Sequence, residues 1–259
     1  MSSELYDELD PLYRKLWGTS LHHGLWISGK ESSKEAKKQL IEQILGLIEP
    51  CGQVADIGCG YGSFSLILAQ QFCCEVHGYT LSARQAKLIP DHPRIQVFCE
   101  DWLSHQIVPK SLDQAFAIES VSHMANWKSF SQRTHTVLKE GGELLIADWF
   151  GSGRQSPILK HLADAGRIPL WRTKKELLRT LTSRGLVIEQ SLDLSMMVAR
   201  TWLALFKKSL TLPLREPNWI PPLLAQAWKR PELVWSFPLI YWAYRSRLLE
   251  YHLIKLKKT

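Results

Sequence analysis

The chain has 259 residues, an apolar share of 45% and a net charge of +7 at neutral pH. That length suits one large α/β domain or one domain with a sizeable insertion, and the apolar share is enough for a packed core. No uninterrupted apolar run is long enough for a spanning helix. The start, Met-Ser-Ser-Glu-Leu-Tyr-Asp-Glu, lacks the apolar stretch of a secretory signal.

Residues 4–17 repeat apolar side chains (Leu5, Leu9, Leu12, Tyr13, Leu16, Trp17) at three- and four-residue spacing, which predicts a helix. A ring-rich loop, Gly18 to Trp26, follows. Ser33 is expected to cap a second helix reaching about Ile48. From there short apolar strands alternate with helices, the pattern of a parallel sheet. The expected strands are Gln53–Ile57, Glu75–Tyr79, Ile95–Cys99, Leu112–Ile118, Glu143–Asp148 and Leu186–Ser191, with helices starting near Ser63, Ser82 and Trp127. Gly141-Gly142 reads as a turn feeding the fifth strand, and Thr173 caps a helix that Gly185 ends. Residues 192–242 carry five tryptophans and six prolines, so short helices and bends are expected there. The run Leu248–Leu256 resumes strand character. The fold expected is α/β, a doubly wound, mostly parallel seven-stranded sheet with an aromatic-rich helical insertion before its last strand. The segments are a helical lid (1–50), a core (51–191), a substrate cap (192–243) and a final strand (244–259).

Five cysteines (Cys51, Cys59, Cys73, Cys74, Cys99) are an odd set without metal-like spacing, so thiols in a reducing cytoplasm are expected and no metal. The positive excess lies mostly late, from Lys207 to Lys258. A solvated basic face, contact with an anionic membrane surface and an anionic substrate all fit it. No recognisable nucleic-acid module accompanies the charge.

Five strand ends carry chemistry. The first reads Asp56-Ile57-Gly58-Cys59-Gly60-Tyr61-Gly62 and enters a helix. Closely spaced glycines let backbone approach a ligand, and a helix start offers free N–H groups to a carboxylate. The second reads Gly78-Tyr79-Thr80-Leu81-Ser82-Ala83-Arg84-Gln85, with Thr80 where many nucleotide-binding folds place an acid. The third ends Glu100-Asp101-Trp102, a carboxylate for an amino donor and an aromatic face, with core packing as the other reading of the tryptophan. The fourth ends Glu119-Ser120-Val121-Ser122-His123-Met124. Histidine suits proton removal near neutral pH, although a packed histidine is the commoner case. The fifth strand ends in Asp148, which can orient a histidine, bind a substrate group or cap a helix.

The D-x-G-x-G-x-G turn resembles the first motif of class I S-adenosylmethionine-dependent methyltransferases. G-x-T-L-S-x-x-Q, E-S-x-x-H-M and the segment Trp17-Gly18-Thr19-Ser20-Leu21-His22-His23-Gly24-Leu25-Trp26 resemble the tocopherol- and sterol-type small-molecule branch, with Leu25 in place of a tyrosine. The resemblance implies S-adenosylmethionine as cosubstrate and S-adenosylhomocysteine as product. It implies donor contacts from Asp56, Gly58, Gly60, Thr80, Leu81, Gln85, Asp101, Trp102 and Glu119. His123 and Asp148 are the candidate catalytic pair. His22, His23, Trp26, Trp219 and Trp235 are the candidate acceptor contacts. The acceptor expected is small and lipophilic, methylated at carbon, oxygen or nitrogen. A lipid-modifying enzyme of the sterol or cyclopropane kind and a non-catalytic donor-binding partner stay open. An N/D-P-P-aromatic motif does not follow the fourth strand, which argues against a nucleic-acid acceptor.

Overall fold

The computed structural model describes residues 4–166 and 168–259, without the side chains of 4–9, 13, 227, 231, 233 and 234. Leu5, Leu9 and Tyr13 of the expected first-helix periodicity therefore lie outside the described side chains. The helix itself, α1, runs over Glu4–Trp17.

Strands β1 (Gln53–Ile57), β2 (Glu75–Tyr79), β3 (Ile95–Phe98), β4 (Leu112–Ile118) and β5 (Leu138–Gly151) are parallel neighbours. β7 (Leu249–Lys258) lies antiparallel between β5 and β6 (Leu186–Asp193). The order β3-β2-β1-β4-β5-β7-β6 gives the expected seven-stranded sheet. Winding reverses between β1 and β4, so a crevice opens at their carboxyl ends. Successive residues of β5 enter opposite cores: Leu145 and Ala147 pack on one face of the sheet, Leu144 and Ile146 on the other. The period-two alternation of a strand covered on both sides requires this.

Helices α2 (Ser33–Leu45), α3 (Ser63–Gln71), α4 (Ala83–Leu88), α5 (Trp127–Val137), α6 (Pro157–Gly166) and α7 (Lys174–Thr182) flank the sheet. The cap of α2 is Ser32, one residue earlier than expected. Its hydroxyl accepts from Glu35 N–H at 3.2 Å while Glu35 accepts from Ser32 N–H at 2.7 Å, so a capping box fixes the start. Thr173 caps α7 in the same way. Gly141-Gly142 is not a turn before the strand. It is an irregularity inside β5, where pairing with β4 jumps from Leu112↔Leu138 to Gln114↔Glu143.

The insertion also departs from expectation. After the short α8 (Ser195–Val198) come α9 (Arg200–Arg215), α10 (Ile220–Lys229) and α11 (Pro231–Arg245), of which α9 and α11 are long. Most of the prolines do not break helices because they sit where an N–H is not needed. Pro221, Pro222 and Pro231 occupy first turns. Pro213 and Pro238 are the exceptions and stand inside α9 and α11.

Candidate active site

The crevice between β1 and β4 opens into a cavity of about 740 Å³, within the size range of small-molecule sites. Its floor is the glycine turn after β1. Gly58, Gly60 and Gly62 all have positive φ, at 80°, 56° and 71°. A Cβ on Gly58 would stand 2.5 Å from the Ser120 Cβ, so β1 and β4 ends approach only because that atom is missing. A Cβ on Gly60 would meet nothing within 4 Å. It would project into open space, as expected of backbone bared to a ligand. Asp56 is buried beneath the turn, its carboxylate accepting from the Ser65 hydroxyl of α3 at 2.6 Å. Burial pushes its carboxyl up to about 6.

The donor-side candidates from the next two strand ends also line this cavity. Thr80 donates to Gln85 Oε1 at 2.9 Å and accepts from Ser82 N–H, which locks the T-L-S turn. Leu81, Asp101 and Trp102 complete that wall. Trp102 is buried edge-on to Tyr79, ring centroids 5.0 Å apart. Asp101 Oδ1 accepts from Leu103 N–H at 2.9 Å.

α1 also lines the cavity, through Leu12, Leu16 and Trp17. Its Asp10 is buried and bonds both Tyr61 of the glycine turn and, at 2.8 Å, Arg84 beyond the T-L-S turn. Its last carbonyls are capped by distant lysines. Lys208 reaches Leu16 O at 2.7 Å, and Lys37 reaches Trp17 O and Ser20 O. Burial holds Lys37 down to about 8. No sequence signal links Asp10, Tyr61 and Arg84, because the three are brought together only by the fold.

Glu119 lines the cavity, and its φ of 54° is rare for a residue with a side chain. Its Oε1 accepts from His23 N–H at 2.7 Å and from the Tyr251 hydroxyl at 3.0 Å. Oε2 meets His23 Nδ1 at 2.9 Å. Three of four lone-pair positions are therefore used, and one on Oε2 remains. Burial works against the charge of Glu119, but the His23 ring and main-chain N–H beside it hold its carboxyl below the ordinary range.

His23 is fixed in one tautomer. The Trp202 indole N–H lies 2.7 Å from its Nε2, and the Tyr244 hydroxyl lies 3.2 Å away. An indole N–H can only donate, so Nε2 carries the lone pair and the proton sits on Nδ1 facing Glu119. His22 Nδ1 meets the His23 carbonyl at 2.7 Å, which likewise assigns its proton to Nδ1. Burial lowers His22 and lowers His123 to about 4. His22, His23 and His123 all line the cavity.

Four sequence-predicted residues do not. Asp148 is fully buried outside the lining and accepts from Val121, Ser122 and Trp149 N–H groups at 2.7, 3.0 and 2.8 Å. It secures the short 3₁₀ turn Val121–His123 that carries His123, so it positions rather than contacts. Burial raises its carboxyl to about 7. Trp26 donates to Thr201 Oγ1 at 3.0 Å and ties the loop to α9. Trp219 packs on the outer core under the Lys15 ammonium. Trp235 is 64% exposed. The aromatic lining comes instead from Trp17, Trp149, Trp171, Trp202, Phe206 and Phe237. Of the insertion's five tryptophans, only Trp202 belongs to it. Among the described residues no group of histidine, cysteine or acidic side chains could hold a metal.

The methyltransferase domain family matches residues 30–191, more than half of the chain. A tocopherol O-methyltransferase of Arabidopsis thaliana is 26% identical over 99% of this chain and 81% of its own length. The (+)-O-methylkolavelool synthase of Herpetosiphon aurantiacus is 26% identical over 89% of this chain and 87% of that protein. The solved cyclopropane synthase MmaA2 of Mycobacterium tuberculosis shares the fold at a TM-score of 0.79, with 18% identity and coverage of 99% and 95% of the two chains.

Two outcomes follow from the hydrogen bonding. Nitrogen-detected NMR of labelled His23 should show the Nδ1–H tautomer, with Nε2 shifted as the acceptor of the Trp202 indole N–H, a shift that Trp202→Phe should remove. A wild-type spectrum in which the proton sits on Nε2 contradicts the assignment. Asp148→Asn leaves one of three backbone donors without its acceptor, at a cost of about 1–3 kcal/mol in denaturant unfolding. Its effect on turnover should be no larger than displacement of the His123 turn produces, with affinity for S-adenosylhomocysteine retained.

Proposed function

The chain belongs to the methyltransferase domain family, among the class I S-adenosylmethionine-dependent small-molecule methyltransferases, and from that premise we propose that it methylates a small, lipophilic acceptor of terpenoid, prenylated quinol or polyketide-like character. One observation supports this reading above the others. A single cavity joins the open glycine turn to a chamber walled by indole and phenyl rings. The polar end suits a nucleoside with an amino-acid tail, and the other end suits an apolar body of some length.

The donor fits the residues present. Gly60 leaves backbone bare toward the cavity, and Glu119 retains one acceptor position for an ammonium. Trp102 and Asp101 would flank the adenine, while Thr80, Leu81 and Gln85 shape the ribose wall. When bound, the donor supplies a methyl group already activated by its sulfonium. The protein's task is therefore to align a nucleophile, exclude water and receive a proton. The aromatic walls and the lid helix α1 exclude water. His123 and His22 are imidazoles that burial keeps neutral at physiological pH, and either can take a proton from an acceptor hydroxyl or amine. His23 has both ring nitrogens engaged and offers neither to an acceptor.

Incubation of the purified chain with radiolabelled donor and an organic extract of the source cells tests this reading. Label should pass into an apolar product, and mass analysis of that product names the acceptor. Binding of S-adenosylhomocysteine with no transfer to any extract would indicate a binding protein instead. Gly58→Ala, which forces the β1 and β4 ends apart, should weaken S-adenosylhomocysteine binding at least tenfold by calorimetry (about 1.4 kcal/mol).

His123→Ala should lower kcat while sparing donor affinity. A base whose protonation is depressed to about 4 keeps its lone pair well below the usual imidazole range. If His123 is the base, the acid loss of kcat therefore falls near pH 4–5 rather than near 6.5. Stability runs in the same direction. The unfolded imidazole binds its proton first, so as pH falls from 6.5 toward 4 this group favours unfolding. An acid limb centred at 6.5 and unchanged in His123→Ala removes His123 from the mechanism.

A further inference from the structure

The insertion helices turn apolar side chains to solvent. On α10, Ile220, Leu224 and Trp228 fall at four-residue spacing and are 42%, 64% and 90% exposed, so they form one stripe. α10 carries no charge before Lys229. On α9, Leu210 and Leu214 form a second such stripe. On α11, Trp235 and Trp242, seven apart and on one face, form a third. A water-facing helix ordinarily presents the opposite pattern.

Charge accompanies these stripes. Residues 200–247 hold eight lysines and arginines against two glutamates, a net +6 of the chain's +7. Both glutamates are already paired, Glu216 with Lys15 at 2.5 Å and Glu232 with Arg230 at 2.9 Å. Lys207, Arg215, Lys229 and Arg245 are exposed and make no ion pair among the described residues. A second copy of the chain would bring like charges together across a two-fold interface. An anionic lipid surface accepts both features, indole and leucine into the headgroup boundary and cations onto its phosphates.

The same surface holds the cavity's mouth. Leu210 and Leu224 line the cavity and are also 58% and 64% exposed. We propose that α9, α10 and α11 form a docking face for an anionic bilayer surface, seated so that the cavity opens toward the lipid. The chain lies on the membrane and does not cross it: no described helix is long and apolar enough to span. A lipophilic acceptor would then pass from bilayer to chamber without entering bulk water. The docking itself is independent of which acceptor is methylated.

Flotation of the full chain with vesicles tests it, comparing phosphatidylcholine alone with an equal mixture of phosphatidylcholine and phosphatidylglycerol. The chain should float with the mixed vesicles, much less with the neutral ones, and progressively less as salt rises. Trp228→Ala combined with Trp235→Ala should weaken partition about tenfold. Each of Lys207→Gln, Arg215→Gln and Lys229→Gln should weaken it about fivefold. S-adenosylhomocysteine binding, measured on the same variants, checks that they are folded and reads the donor site separately. Absence of flotation with the mixed vesicles overturns the proposal. Partition unaltered by the tryptophan pair overturns it too, as does light scattering that shows the face buried in a dimer which those substitutions dissociate.

Discussion

The site depends on one buried contact, the bond between the Glu119 carboxylate and His23. Glu119 lies at the end of β4 in a strained backbone conformation, and His23 belongs to the loop after α1. Their union reaches further through Tyr251 of β7 and Trp202 of α9. Four segments far apart in sequence therefore meet in one hydrogen-bonded cluster. Removing a single partner from such a buried pair leaves an uncompensated group and is much costlier than the pair's net contribution to stability. That cost explains why the His23 loop, the sheet and α9 hold a fixed relation around the cavity. It also reassigns the loop histidines. His23 is a fixed strut, while His22 and His123 remain as neutral imidazoles on the cavity wall.

Around that contact the cavity divides by chemistry. Its glycine end offers main-chain groups and little side-chain bulk. Its far end is walled by rings packed against one another, with Trp149 stacked on Trp202 at 5.6 Å and edge-on to Trp171 at 5.1 Å. Interlocked rings resist rearrangement and exclude water. A methyl transfer that needs only alignment, dryness and an acceptor for one proton is well served by such a division. The buried acids do supporting work. Asp56 braces α3, and Asp148 collects three backbone N–H groups beneath the turn that carries His123. In the insertion, helices that bury one face against the core show leucine and tryptophan on the other, beside cations that make no ion pair among the described residues. Closure of the chamber and exposure of an apolar, basic surface thus arise from the same three helices.

What the sequence determined by itself is local. The D-x-G-x-G-x-G turn, the alternation of strands and helices, the cap at Thr173 and the T-L-S turn are set by neighbours in the chain, since glycine conformations, capping and side-chain periodicity act over a few residues. The seven strands and the two turns that line the cavity were legible for that reason. The tertiary structure decided the rest. Asp148 reads as a catalytic acid at a strand end, yet its oxygens are claimed by backbone donors about 26 residues earlier. Trp202 and Trp235 are the same residue type in one aromatic segment, and only the packing of α9 against the loop sends the first inward and leaves the second in solvent. Prolines expected to shorten helices fall mostly in first turns, a placement that depends on where each helix starts. Which rings meet, which lone pairs are already taken and which face lacks a partner depend on contacts between residues distant in sequence, and periodicity carries no record of them.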